Sequence, residues 1–398
     1  MLTGETWLAP GAVEVSGGRI VAVGPCGPSE FTGSDGRRWP ILAPGFVDLQ
    51  VNGFAGVDVA AALEARAARS TTGAPPAPLD PAWAQLERAL LAHGVSSWCP
   101  TLISGPLERY GELAEAVPAV PEVPARGPTR AVAAEPARPQ MVGLHLEGPC
   151  LAIAGAHDAA HLCPPHRAHP TLVALARHCR VVTVAPELEG AVELTEALCG
   201  LGVVVAVGHT AASAGAVRRV VDVGARLATH VFNAMAPIGH RDPGPVVAAL
   251  TDERLWCSII VDGHHVDPLV VELAWRSAGA SRMVLVTDAI AAAGRAARAP
   301  RTRVRLGGRE VRVVDGAARL ADGTLAGSCL TMDRAVANAV GRCGVALGDA
   351  LRAASTNPAR AAGLVDRGEI RPGQRADLVA LDDELSVRAT WVGGVLAG

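Results

Sequence analysis

The chain has 398 residues, with 36 basic against 39 acidic side chains for a net charge of −3. Every basic residue is Arg and no Lys occurs, so a G-K-[ST] phosphate loop, a Schiff-base lysine and a carboxylated lysine bridging two metals are all excluded. Hydrophobic residues make up 49% and charged residues 19%, so a large core can form and general disorder is excluded.

The near-neutral charge gives no footprint for nucleic acid. No apolar run reaches the roughly 18 residues needed to cross a bilayer, so no membrane association is expected. The N-terminus lacks a basic region and a long apolar core, so no signal peptide is read. Nine cysteines, odd in number and without a C-x-x-C pair, suggest reduced thiols in a cytoplasmic protein.

In chain order, 11–16 and 18–23 alternate apolar with other residues around Gly17 and Gly18, predicting short strands. The C-terminal stretches 376–382 and 389–395 look alike. These ends predict a small β-sandwich domain built from 1–43 and 366–398, flanking a domain over 44–365. The middle repeats an apolar strand followed by an amphipathic helix. Strands are predicted at 42–50, 95–102, 141–147, 181–187, 203–209, 226–231, 256–262 and 282–288. Helices are predicted at 82–92, 170–178, 191–199, 212–221, 268–277 and 331–343. Eight non-alternating apolar strands interleaved with helices predict an α/β fold, a closed (β/α)8 TIM-type barrel. The stretches 61–81 and 117–140, rich in Ala, Pro, Arg and Glu, read mainly as exposed loop insertions. A hairpin is expected at 304–320.

Barrel active sites form at the C-terminal ends of the strands. Here those ends carry Glu147, His209, His230 and Asp288. Glu147, His209 and His230 make the ligand count of a catalytic divalent-metal site, in which a position stays open for a water whose pKa falls to about 7. Asp288 suits a general base and acid. His145 shares a strand face with Glu147 and is assigned a supporting role rather than direct ligation. Asp48, Gln50 and Asn52 end the first strand. Gln50 and Asn52 are poor zinc ligands, which with the missing lysine argues for one metal ion. Substrate candidates are 155–157, 232–235, 241–244 and 262–265, with the Arg241 guanidinium suited to a phosphate.

Ten motifs occur in a shared order: APGFVDLQVNG at 43–53, GLHLEGP at 143–149, GAH at 155–157, GHT at 208–210 and HVFNAM at 230–235, then RDPG at 241–244, DGHH at 262–265, VTDA at 286–289, LAGS at 325–328 and NPA at 357–359. With these the sequence resembles the N-acetylglucosamine-6-phosphate deacetylases of the amidohydrolase superfamily. The resemblance implies that Glu147, His209 and His230 hold one divalent ion, zinc first and iron, manganese or cobalt as alternatives. It implies that Asp288 is the catalytic acid/base and that His157 hydrogen-bonds the acetamide carbonyl. Ala156, Asn233, Ala234, Arg241, His265, Leu325, Ala326 and Gly327 would line the sugar-phosphate pocket, with Arg241 and His265 on the phosphate. A homodimer acting on a small amino-sugar phosphate is implied. Cys150 departs from the family, which carries an aromatic there. The same chemistry on N-acetylgalactosamine 6-phosphate, another amidohydrolase reaction without phosphate recognition, and an inactive binding homologue are the alternatives.

Overall fold

The computed structural model describes residues 1–25, 39–70, 80–117, 137–294 and 302–397. Eight parallel strands form the centre: β1 (Phe46–Val51), β2 (Val95–Ile103), β3 (Leu144–Glu147), β4 (Cys179–Val184), β5 (Val204–Val207), β6 (Leu227–Ala228), β7 (Trp256–Ile259) and β8 (Met283–Leu285). They pair in sequence order from β1 to β8. Their residues are almost all buried, as expected of strands covered on both sides, and this explains why they read as apolar runs rather than alternations.

The barrel closes just past β8. Ala289 bridges Val51 on one side and Ser328 on the other, and its carbonyl accepts from the Asn52 and Gly53 amides at 2.8 and 3.0 Å. Helices cover the outside. Pro81–Ala92 starts on Asp80, whose carboxylate accepts from the Ala82 amide, and it buries Trp83, Leu86 and Leu90. Asp267 and Ser213 cap Pro268–Ala278 and Ala214–Asp222 in the same way. Each cap satisfies an amide that the helix leaves without an internal partner.

Several expectations change in detail. The predicted strand at 42–50 is two strands. Ile41–Pro44 pairs with Leu378–Leu381 in a sheet from both chain ends, and β1 begins only after Gly45. A Cβ on Gly45 would lie 2.3 Å from Ser96 Oγ, so only glycine fits where the chain passes from one sheet to the other. The stretch 61–81 is not simply a loop: Val59–Ser70 is a helix, with Val59, Leu63 and Ala67 buried on one face. Its alanines masked that helical spacing. Residues 71–79 and 118–136 of the two insertions lie outside the described residues. The helix expected from 170 starts at Pro165, with Pro170 inside it. Pro165 takes the first helical position, where a missing N–H costs nothing. The hairpin expected at 304–320 is a three-stranded antiparallel sheet of Thr302–Leu306, Arg309–Val314 and Ala317–Arg319. The helices Tyr110–Glu115, Gly244–Thr251, Leu347–Ala354 and Thr356–Ala361 were not anticipated.

The chain ends supply a hairpin, Gly11–Ser16 with Arg19–Pro25, and a four-stranded sheet of Ile41–Pro44, Leu378–Leu381, Val387–Val392 and Val395–Leu396. Met1, Ile20, Ile370, Ala376 and Leu378 form a shared core beneath them. Beside that core Arg375 Nε lies 3.0 Å from Asp377 Oδ2, both side chains 2% exposed. Asp377 Oδ1 also accepts from the Gly393 amide at 2.7 Å. Arg375→Ala leaves that carboxylate buried without its cation and should cost about 3 kcal/mol. A urea unfolding midpoint unchanged from wild type would refute this. The eight cysteines among the described residues are all free. No helix among the described residues is long and apolar enough to cross a membrane.

Candidate active site

Four side chains meet at the C-terminal mouth of the barrel. Glu147 is the last residue of β3, while His209, His230 and Asp288 follow β5, β6 and β8 within three residues. Glu147 Oε1 lies 3.2 Å from His209 Nε2 and 2.7 Å from His230 Nε2. One donor atom from each of these three buried residues falls within 4.8 Å of the others. His209 Nδ1 is 2.8 Å from the Ile153 carbonyl. A carbonyl only accepts, so Nδ1 donates to it and Nε2 is the nitrogen that faces the cluster. Glu147 is held well below the usual carboxylate range: burial opposes this, but the hydrogen bonds of His157, His209 and His230 prevail. An anionic carboxylate and two imidazole nitrogens packed this closely fit a single divalent ion.

Asp288 stands beside this set. Its Oδ1 accepts from Asn52 Nδ2 at 2.7 Å and from Gln50 Nε2 at 3.1 Å. Burial, then the charge of Glu147, pushes its carboxyl up. Gln50 Nε2 also donates to Glu147 Oε1 at 3.0 Å. The amide nitrogen thus faces both carboxylates, so Gln50 acts as a donor there.

His157 reaches the cluster from the loop after β3. The Ser104 amide donates to its Nδ1 at 3.1 Å, which makes Nδ1 an acceptor. Burial holds this imidazole below its ordinary pKa. A neutral ring with Nδ1 accepting carries its hydrogen on Nε2, which lies 3.5 Å from Glu147 Oε2. His157 therefore presents an N–H to the cavity.

His145 is not a ligand. Its Nδ1 is spent on the Leu49 carbonyl at 3.0 Å and its Nε2 on Thr183 Oγ1 at 2.8 Å. Burial holds it neutral, with a pKa lowered to about 4. The backbone at the mouth is strained. Among the described residues, His209, His230, Phe232, Ala234 and Asp288 have φ of 50, 28, 78, 50 and 48°. These lie in a left-handed region that non-glycine residues rarely adopt and that costs of order 1–3 kcal/mol each. The fold supports that cost in order to aim these groups inward.

A cavity of about 480 Å³ lies over the four, a size suited to a small ligand. Ala156, His157, Asn233, Ala234, His265, Leu325 and Gly327 line it, as expected. His265 is held through Nδ1 by Asp262 Oδ2 at 2.7 Å. Two predicted contacts lie elsewhere. Ala326 is fully buried, its amide on the Ala318 carbonyl. Arg241 is exposed and is not part of the cavity wall. Gly327, at φ 59°, passes so close that a Cβ would meet Ile290 Cγ2 at 2.4 Å.

Several supporting roles escaped the sequence reading, although Asp48 and Asn357 were named there. Asp48 is buried, and Thr287 Oγ1, next to Asp288 in the chain, donates to it at 2.6 Å. Burial pushes its carboxyl up to about 7. Asn357 Nδ2 ties the Ala280 and Met283 carbonyls at the start of β8. Arg309 and Arg319 come from the sheet over the mouth. The NPA motif was a signal for Asn357, but nothing in the sequence placed Asp48 against Thr287.

A closed eight-stranded barrel with one carboxylate, two imidazoles and a separate buried carboxyl at its mouth has the architecture of a metal-dependent hydrolase. The chain belongs to the amidohydrolase family, whose model matches residues 41–397. It is 39% identical over 374 residues to the N-acetylglucosamine-6-phosphate deacetylase of Bos taurus, covering 89% of this chain and 83% of that relative. It is 37% identical over 406 residues to an N-acetylgalactosamine-6-phosphate deacetylase of Escherichia coli O157:H7, covering 100% and 97%. Among solved structures it is similar to a variant of the N-acetyl-D-glucosamine-6-phosphate deacetylase of Mycobacterium smegmatis, in complex with N-acetyl-D-glucosamine-6-phosphate. The TM-score is 0.82 at 34% identity, covering 100% of this chain and 97% of that one.

Proposed function

We propose that the chain hydrolyses N-acetyl-D-glucosamine 6-phosphate to D-glucosamine 6-phosphate and acetate, a step of amino-sugar catabolism or cell-wall recycling. The observation that carries this reading is Asp288, a buried carboxyl held separately beside the Glu147–His209–His230 set in a cavity of about 480 Å³. The named relatives support the substrate class.

Glu147, His209 and His230 would hold one divalent ion, zinc first, with iron, manganese or cobalt as alternatives. Such an ion polarises a carbonyl and makes water nucleophilic near neutral pH. Gln50 supports a single ion, since its amide nitrogen turns toward both carboxylates. Asp288 accepts a proton from the attacking water and returns it to the departing nitrogen. Its Oδ2 is the oxygen for this, because Gln50 and Asn52 both bond Oδ1. His157 Nε2–H donates to the acetamide oxygen as that oxygen gains charge. Ala156, Asn233, Ala234, Leu325 and Gly327 shape the sugar pocket, with Ala326 behind it. His265 on the wall is assigned to the phosphate, while Arg241, which lies outside that wall, keeps this assignment only from the resemblance of its motif.

The chain divides in this reading into 1–43 with 366–398 and a catalytic barrel of 44–365. The enzyme is read as a cytoplasmic homodimer, supported by the resemblance of its motifs.

Acetate release from N-acetylglucosamine 6-phosphate tests the proposal. Turnover should be lost on chelation and restored by zinc. Faster turnover of the galactosamine epimer, which the E. coli O157:H7 relative acts on by name, would move the substrate to that sugar. No release from either ester with metal restored would reject the reading.

A further inference from the structure

The sheet of Thr302–Leu306, Arg309–Val314 and Ala317–Arg319 overlies the cavity, with Leu306 and Arg319 in its wall. Its apolar underside, Leu306, Val311 and Ala318, packs with Ile290 and Ala326 and against Ile103 and Ala156. One polar tie adds to this packing. Arg309, the first residue of the middle strand, donates from Nη1 to the Ala156 carbonyl at 3.0 Å and to the His157 carbonyl at 3.1 Å. These partners lie 153 and 152 residues away in the chain.

His157 is thus gripped from two sides. The end of β2 holds its ring, through the Ser104 amide on Nδ1 and Ser104 Oγ at 2.9 Å. The overlying sheet holds its backbone carbonyl through Arg309. The intervening turn has one local bond of its own at this point, from the His157 amide to the Ala154 carbonyl at 3.0 Å. A hydrogen bond from a charged donor is roughly twice as strong as a neutral one. A guanidinium spanning two successive carbonyls also fixes the direction of the peptide between them.

We propose that Arg309 is a positioning residue for His157, aiming its Nε2–H at the carbonyl oxygen of the substrate. The overlying sheet is then part of the catalytic apparatus. Arg309 touches neither substrate nor metal ligand in this role. It acts by keeping a donor within the narrow range over which an oxyanion contact is effective. The proposal rests on the reading of His157 as that donor.

The test is a double-mutant cycle with a structural readout. Arg309→Met keeps the aliphatic stem and removes the donors. It should lower kcat roughly 10-fold, within the loss that misplacing one such donor produces, while KM changes by less than about 3-fold. Arg309→Lys, which can reach one carbonyl, should recover part of the rate. In a His157→Ala background, Arg309→Met should cost less than about 2-fold, since the group it positions is gone. Multiplicative losses, or a kcat for Arg309→Met within 2-fold of wild type, would overturn the proposal.

Hydrogen exchange gives a second readout that does not depend on the substrate. Peptides covering 152–162 should exchange faster in Arg309→Met, while those of β4, β5 and β6 stay unchanged. Unchanged exchange at 152–162 would overturn it equally. If the wild-type enzyme releases no acetate, the functional reading fails, and the exchange measurement still decides whether Arg309 holds the His157 turn.

Discussion

Asp288→Asn should lower kcat about 10³- to 10⁴-fold, the range over which a positioned acid–base group acts. The side-chain carbonyl of Asn can still accept from Asn52 Nδ2 and Gln50 Nε2, which now meet Asp288 Oδ1 at 2.7 and 3.1 Å. The fold and the metal content should therefore stay as in wild type. What is lost is the ability to take up and return a proton, at the oxygen opposite those two bonds. Steady-state kinetics with parallel metal analysis and thermal melting give the comparison. Turnover within tenfold of wild type would remove Asp288 from the mechanism.

Glu147→Gln should act through the metal instead. Glu147 Oε1 is within 3.2 Å of Gln50 Nε2, His209 Nε2 and His230 Nε2. Replacing the carboxylate by an amide removes the one negative ligand and can set an N–H against groups that need an acceptor. Bound metal should fall well below one per chain, and turnover should fall at least about 10³-fold, beyond the 10- to 100-fold typical of losing an outer supporting group. The stabilisation that a tightly bound ion gives the folded chain, about 4 kcal/mol at a thousandfold excess over Kd, should vanish with it. Melting with and without added zinc reads this directly. Stoichiometric metal in the purified variant would show that Glu147 is not a ligand.

The two variants differ in a useful way. Asp288→Asn should separate chemistry from metal binding, whereas Glu147→Gln should remove both. This contrast assigns distinct work to two carboxylates that share the Gln50 amide.

The polar groups gathered at the mouth were legible because each ends an apolar run. Glu147, His209, His230 and Asp288 stand out as polar residues following strands too hydrophobic to be anything but buried. His145 was placed correctly by strand alternation alone, since its face is set by Glu147 two residues on. Residues whose meaning depends on a distant partner were not legible. Asp48 means little until Thr287 lies 2.6 Å away, and Arg309 looks like any strand arginine until the carbonyls of Ala156 and His157 are beneath it. The helix Val59–Ser70 was lost for another reason: alanine serves both helices and low-complexity loops, so composition hid the spacing of Val59, Leu63 and Ala67. The split of 42–50 hinged on Gly45, whose role shows only against Ser96.

The closure of the barrel has a consequence for how the chain is made. Ala289 joins Val51 to Ser328, and Asp288 directly before it meets Gln50 across 238 residues of sequence. The Val51–Ala289 bridge cannot form until Ala289 has been made, nor the Ala289–Ser328 bridge until Ser328 has. Until then β1, paired with β2 on its other side, waits with one unpaired edge, exposed to other nascent chains. Contacts of such long range form slowly, so the last part of the barrel to assemble should be the part that holds Asp288. A chain that stalls or is truncated before residue 288 would carry Glu147, His209 and His230 but lack Asp288, and should show no turnover.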